Sequence, residues 1–255
     1  MLPFMQPDVE TLHSVVTGGD DRDAMLLVHG WGGDGRAWQP VRFAGRRVMT
    51  VDLRGHGRSP VPADGYRPAD YARDLAALVR ASGLAPVVAV GHSMGGQIVV
   101  RLALDHPDLV RALVVVDPAY GADEAEAATF HRRLAELRRD GAAAAVRQLG
   151  PLPTGVREQL SRTPGQVLAA SYAGMYTDPG AFGARPAAAR TVARLTQPVL
   201  CIRPTPSMAA WDLTCALPPG SRVVVWPGTS HFLHHDRPDA FVRLVDSWHQ
   251  DLLLR

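Results

Sequence analysis

The stretch from Val87 to Ala103 constrains this chain more than any other. An apolar run, Val87–Val90, leads straight into Gly91-His92-Ser93-Met94-Gly95-Gly96, and Ile98, Val99, Leu102 and Ala103 follow at helical spacing. A run that is apolar at successive positions is a strand buried on both faces, which is the pattern of a parallel sheet covered by helices. The same alternation recurs along the chain. Met25–His29, Val48–Leu53, Leu113–Val116, Val199–Ile202 and Val223–Trp226 read as strands. A helix carrying Tyr71, Leu75, Leu78 and Val79 is bracketed by Pro68 and Gly83, the residues favoured just inside a helix start and just past its end. A last helix carries Phe241, Leu244, Val245 and Trp248. The predicted fold class is α/β, a mostly parallel central sheet flanked by helices.

The alternation stops after Asp117. Residues 121–195 are Ala-rich and contain no convincing strand, so the expected organisation is a sheet domain, 1–120 and 196–255, interrupted by a helical insertion, 121–195. Asp123-Glu124 and Arg138-Arg139 are expected to open and close one helix there, with charges that complement its dipole.

Composition removes whole mechanisms. All 27 basic residues are Arg, and the chain has no Lys and no Asn. Schiff-base lysine chemistry and phosphate-loop NTPase chemistry are thereby excluded, as is N-glycosylation. A net charge of +2 gives no electrostatic footprint for nucleic acid. The two cysteines, Cys201 and Cys215, define neither a disulfide framework nor a zinc spacing. MLPFMQPDVE lacks the basic start and apolar stretch of a signal peptide, and no run is long enough to span a membrane. A cytoplasmic protein with no membrane or nucleic-acid partner is expected.

Gly91-His92-Ser93-Met94-Gly95 is a G-x-S-x-G pentapeptide, weak alone but here set between a strand and a helix. Such a turn forces Ser93 into a sparsely allowed backbone conformation and needs small neighbours. It also lifts the serine hydroxyl to the C-terminal edge of the sheet, where open parallel sheets bind ligands. A hydroxyl nucleophile needs a base. His231 is the best placed of the ten histidines, because the loop Pro227–Ser230 carries it from the last strand to the same edge. His92 is expected to point elsewhere, and His56 to be a satisfied turn residue. The His231, His234, His235, Asp236 cluster is not expected to hold a metal, with Asp236 read instead as the N-cap of the last helix.

With these residues in view the chain resembles the α/β-hydrolases of the capped, lipase- and esterase-like branch. The matching motifs are Val28-His29-Gly30-Trp31-Gly32-Gly33, Asp52-Leu53-Arg54-Gly55-His56-Gly57-Arg58-Ser59, Gly91–Gly96 and Ser230-His231-Phe232. The resemblance implies that 121–195 is a cap, that the chain is a serine hydrolase without cofactor or metal, and that the Met94 and Trp31 amides form an oxyanion hole. The triad acid departs from the family pattern. The strand Val199–Ile202 runs into Arg203-Pro204-Thr205-Pro206-Ser207, with no carboxylate before Asp212. The other position used by relatives, after the strand Leu113–Val116, holds Asp117. Asp117 is the expected acid, with Asp212 as the alternative.

The expected substrate is a hydrophobic or aromatic carboxylic ester or lactone, met by Trp31, Tyr120, Tyr172, Tyr176, Trp211 and Phe232, with no cluster of Arg aimed inward. A small-molecule receptor on the same fold, or a cofactor-free C–C hydrolase, oxygenase or lyase, uses the same parts. Nothing in the sequence indicates an oligomeric state.

Overall fold

The computed structural model describes residues 11–254. The expectation that no signal peptide begins at Met1 falls on residues 1–10 and lies outside them. Seven strands form one sheet: β1 (Ser14–Gly18), β2 (Asp20–Val28), β3 (Arg46–Val51), β4 (Val87–His92), β5 (Val110–Val116), β6 (Val199–Arg203) and β7 (Arg222–Val225), in the order β1-β3-β2-β4-β5-β6-β7. All neighbours are parallel except β1, which runs antiparallel to β3 and closes one edge. Sequence periodicity misses β1 because its Val15 and Val16 are exposed.

The strand order reverses beside β2: β3 lies on one side of it and β4 on the other. Chain exits at the C-terminal ends of β2 and β4 therefore diverge and leave a crevice, the place where open α/β sheets bind ligands. Alternate residues of each strand feed two cores. Leu26, Val28, Ala89, Leu113 and Val115 face α1 (Pro68–Ser82) and α2 (Met94–Asp105). Met25, Leu27, Val88, Val90, Val114 and Val116 share the other core with Trp38 and with Phe241, Val245 and Trp248 of the last helix, Pro238–Leu253. Truncating a side chain as large as the fully buried Trp248 to Ala is expected to cost about 3–5 kcal/mol.

Helix α1 ends as its sequence predicts. Pro68 is its first residue, and Gly83 caps it at φ 71, in the left-handed region where a side chain is disfavoured.

Between β5 and β6 the chain is helical: α3 (Glu124–Ala127), α4 (Phe130–Asp140), α5 (Ala142–Leu149), α6 (Thr154–Arg162), α7 (Gly165–Tyr176) and α8 (Arg185–Val192). The single helix expected from Asp123 to Arg139 is broken in two. The Thr129 hydroxyl donates to the Glu126 carbonyl at 2.7 Å, and the Thr129 amide turns back on the same carbonyl. This local bonding competes with the helix ladder at the junction. Asp123 still caps α3 by accepting from the Glu126 amide. After β6 come the short α9 (Pro206–Asp212), then α10 (Leu233–Asp236) and α11 (Pro238–Leu253). Among the described residues no helix is long and apolar enough to cross a membrane.

Candidate active site

Ser93 sits between β4 and α2 with φ 52, one of two non-glycine residues in the left-handed region among the described residues; the other is Asp117, φ 39. The turn leaves no room for neighbouring side chains. A Cβ on Gly91 would fall on the Gly95 carbonyl, and one on Gly95 would fall on the Val28 carbonyl. The turn is also tied to its neighbours, since the Ser93 amide donates to the Val116 carbonyl and the Ala119 amide to the Ser93 carbonyl, both at 3.0 Å. Two strained residues, at the ends of adjacent strands β4 and β5, are thus held by one backbone network.

Asp117 meets His231 from the end of β5. His231 Nδ1 lies 2.6 Å from Asp117 Oδ2. Ser93, Asp117 and His231 all line a cavity of about 540 Å³ at the C-terminal edge of the sheet. Ser93 and His231 share this cavity without a hydrogen bond between them, a contact that commonly tightens only when substrate enters. The His231 loop is pinned from several sides. The Ser230 amide donates to Asp236 Oδ2 at 2.6 Å, and the Phe232 amide to Ser230 Oγ at 3.1 Å. Asp236 therefore holds this loop and is not the N-cap of α11, a position taken by Arg237. His92 does not point elsewhere. It lines the cavity, stacks on His231 with ring centroids 4.7 Å apart, and its Nε2–H donates to the His231 carbonyl at 2.9 Å. Burial holds His92 neutral, with a pKa well below that of a free histidine.

Asp212 has a different partner. Arg203, at the end of β6 and 1% exposed, spends all five of its N–H donors. Its Nε and Nη2 reach Asp212 at 2.6 and 3.2 Å, and Nη2 also reaches the Tyr120 carbonyl at 3.1 Å. Its Nη1 reaches the Pro118 carbonyl at 2.9 Å and Asp117 Oδ1 at 3.2 Å. Of the two carboxylates weighed from sequence, Asp117 meets the imidazole, and Asp212 is the counter-ion of a buried guanidinium. A cation sealed from water needs such partners, and it fixes which Asp117 oxygen is left for His231.

The Gly30–Gly33 turn after β2 forms the opposite rim. The Trp31 amide has no backbone acceptor among the described residues, and Met94 is the first residue of α2, where helix N–H groups lack partners. The Trp31 ring is fastened to α7, its Nε1–H donating to the Leu168 carbonyl at 3.1 Å and Ser171 Oγ at 3.0 Å. Gln159 and Thr163 add further stitches, Gln159 Oε1 accepting from the Asp34 amide and the Thr163 hydroxyl donating to the Gly32 carbonyl, each at 3.2 Å. Beneath the turn, His56 Nε2 accepts from the Gly32 amide while Nδ1–H donates to the Arg54 carbonyl, and burial lowers its pKa to about 3. His29 bonds in the same manner to the Leu53 amide and the Gly30 carbonyl.

Trp31, Tyr120, Tyr172, Tyr176 and Phe232 line the cavity, as does Met208. Trp211 is not among its lining residues. It packs edge-on behind Tyr120, over Gly121, whose lack of a side chain leaves room for the indole. Phe130 is packed within the helical segment against Tyr172 and Tyr176. The wall is more polar than expected: Arg133, Arg185, Arg203 and Gln159 also line it. Sequence periodicity gives no sign of Arg133, which follows the apolar Phe130 by three residues on α4. No group of three or more His, Cys, Asp or Glu side chains is arranged to hold a metal ion among the described residues.

Comparison with known proteins agrees with this architecture. Residues 25–244 match the Alpha/beta hydrolase family. The chain is 32% identical over 244 residues to 2-(acetamidomethylene)succinate hydrolase of Mesorhizobium japonicum, covering 88% of this chain and 87% of that one. It is 41% identical over 131 residues to putative carbamate hydrolase RutD of Variovorax paradoxus, a match spanning about half the length of either protein (49% of each). A thermophilic esterase from Thermogutta terrifontis superposes with a TM-score of 0.76 at 26% identity, over 94% of this chain and 93% of that one. The chain belongs to the α/β-hydrolase family.

Proposed function

We propose that the protein is a serine hydrolase acting on a carboxylic ester or lactone of a hydrophobic or aromatic small molecule, with residues 121–195 serving as a cap over the site. The observation that carries this reading is the 2.6 Å pairing of His231 Nδ1 with Asp117, made at a cavity that Ser93 also lines. Asp117 accepts from Nδ1–H, so the Nε2 lone pair is free to take a proton. Ser93 Oγ attacks the acyl carbon as its proton passes to His231 Nε2. Negative charge on the former carbonyl oxygen is received by the Met94 and Trp31 amides, each such donor being worth about 2.7–4 kcal/mol of transition-state stabilisation. His231 returns the proton to the leaving alcohol, then activates a water that cleaves the acyl-enzyme at Ser93. The aromatic wall of Trp31, Tyr172, Tyr176 and Phe232 supplies the apolar contact.

The names of the relatives support the class of reaction: one is an esterase, one a putative carbamate hydrolase and one a 2-(acetamidomethylene)succinate hydrolase. The test is labelling with a fluorophosphonate followed by peptide mapping, together with turnover on short-chain aryl esters. Label on Ser93, and loss of both label and turnover in Ser93→Ala, are expected. Full esterase activity in Ser93→Ala overturns the reading. Ligand-dependent stabilisation with no turnover on any ester would reassign the protein as a receptor.

A further inference from the structure

The cavity wall contains hydrogen-bond donors with nothing to accept from them. Arg133, on α4, lines the cavity half-buried, and its guanidinium is in no close hydrogen bond among the described residues; its one ion pair, to the exposed Glu126, is stretched to 4.0 Å. Two other arginines of α4 are committed. Arg132 reaches Glu136 at 2.9 Å, and Arg139 reaches Asp140 at 2.9 Å. Beside Arg133 stands Tyr172 of α7, only 5% exposed, whose hydroxyl is buried without a partner. A buried hydroxyl left unpaired is costly, and such groups commonly mark a ligand position. Burial pushes the Tyr172 phenol up to about 12, so it remains a donor at neutral pH. Arg185 enters the same wall with only its Nε bonded, to the Gly121 carbonyl at 3.1 Å. Tyr176 packs on Tyr172, with ring centroids 4.7 Å apart, and also lines the cavity.

We infer that Arg133 and Tyr172 form an anchor for a carboxylate on the substrate, separate from the acyl group attacked at Ser93. The inference deepens the proposed function, on which it rests for the identity of the reacting end. A guanidinium and a phenol hydroxyl together offer several donors and no acceptor, which suits a two-oxygen anion better than a neutral chain. Two anionic side chains also line this wall, Glu126 and Asp123. Asp123 is engaged as the cap of α3, and Glu126 is held so loosely by Arg133 that a substrate carboxylate can take its place. The substrate class is therefore an ester or lactone that carries a free acid on its acyl chain.

The test uses p-nitrophenyl esters of straight-chain diacids from succinate to suberate, each beside its twin with the distal acid capped as a methyl ester. Calorimetric binding to Ser93→Ala, which does not depend on turnover, is expected to be at least tenfold tighter for the acid than for its capped twin at one chain length or more. Adding Arg133→Gln should erase that ratio, and adding Tyr172→Phe should reduce it. Arg138→Gln, an exposed change on the same helix, should leave it intact. Equal binding of the twins at every length, no binding of either, or a ratio that survives Arg133→Gln overturns the anchor. Preferential binding of the acid with no wild-type turnover and no fluorophosphonate label would leave the anchor standing and remove the hydrolase reading.

Discussion

Replacing Asp117 with Asn, and separately Asp212 with Asn, should give opposite results, and the bonding around Arg203 says why. Asp117 divides its oxygens between Arg203 Nη1 at 3.2 Å and His231 Nδ1 at 2.6 Å. An Asn there has one oxygen and one NH2. Arg203 can only donate, so the Asn oxygen must face it. The NH2 is then aimed at His231, whose ring can answer only by presenting an unprotonated Nδ1. That places the ring proton on Nε2, which can no longer accept from Ser93. In the analogous triad a wrong tautomer costs about 10⁴-fold in turnover, or about 5.4 kcal/mol of barrier. The fold should tolerate the change, because Arg203 keeps Asp212 and both carbonyl acceptors.

At Asp212 the situation is reversed. This carboxylate takes two guanidinium N–H groups, including the 2.6 Å bond from Nε, in a setting where both side chains are buried. An Asn turns one of those bonds into a donor facing a donor. Breaking a buried ion pair costs about 3–5 kcal/mol, and since Asp117 still balances the charge the lower figure applies, a fall of about 6–12 °C in melting temperature for a chain of this size. The His231 tautomer is untouched, so turnover per folded molecule should stay within about tenfold of wild type. Steady-state kinetics on an aryl ester and a thermal melt of both variants decide the matter. If Asp212→Asn takes the large kinetic loss while Asp117→Asn stays active, the assignment of the acid is wrong.

Other consequences can be checked on the same protein. His29, His56, His92 and His234 are all buried with lowered pKa values, burial being the largest cause in each. Above about pH 6.5 they are neutral whether the chain is folded or not; below it the unfolded chain binds protons that the folded one refuses. Their contribution to stability is thus complete above that pH and is lost on acidification, by up to about 1.4 kcal/mol per pH unit for each histidine, and melting temperatures from pH 7.5 to 5 should fall accordingly. Trp31→Phe removes the bonds to Leu168 and Ser171 and should lower stability by about 1–3 kcal/mol, with faster amide exchange in α7 and a larger effect on KM than on kcat; unchanged exchange in α7 would show that the indole does not hold the helix. Gly95→Ala, whose Cβ would fall on the Val28 carbonyl, should yield no soluble protein, and a stable, active variant would contradict the tight packing of the turn.

What the sequence disclosed and what it withheld follow from the range of the forces involved. The sheet, α1 and the Ser93 turn are written in local terms, as apolar period, Pro and Gly punctuation and small residues around a strained serine; the C-terminal ends of the expected strands fall within two residues of their places, while β2 starts five residues and β5 three residues before the apolar run, and β1 leaves no apolar mark. Glu124–Asp140 failed locally as well, because a threonine hydroxyl competing for one carbonyl leaves no mark in hydrophobic periodicity. The sequence narrows the partner of His231 to two carboxylates and favours Asp117 only by its place after a strand, since the arrangement depends on Arg203, and Arg203 meets Asp117 across 86 residues of chain. A signal was nonetheless present: an Arg ending an apolar strand is a cation about to be buried, and a buried guanidinium requires carboxylates. With two Asp residues nearby and one imidazole to serve, the carboxylate that shares the helix turns just after the Arg is the natural counter-ion, and the one across the sheet is left to the histidine. The same logic explains why the expectation of no inward-aimed Arg cluster fails at Arg133 and Arg185. Nothing local separates an arginine that faces water from one that faces a cavity built by several other helices, and only the assembled wall shows that the charge of Arg133 meets no carboxylate closer than Glu126 at 4.0 Å.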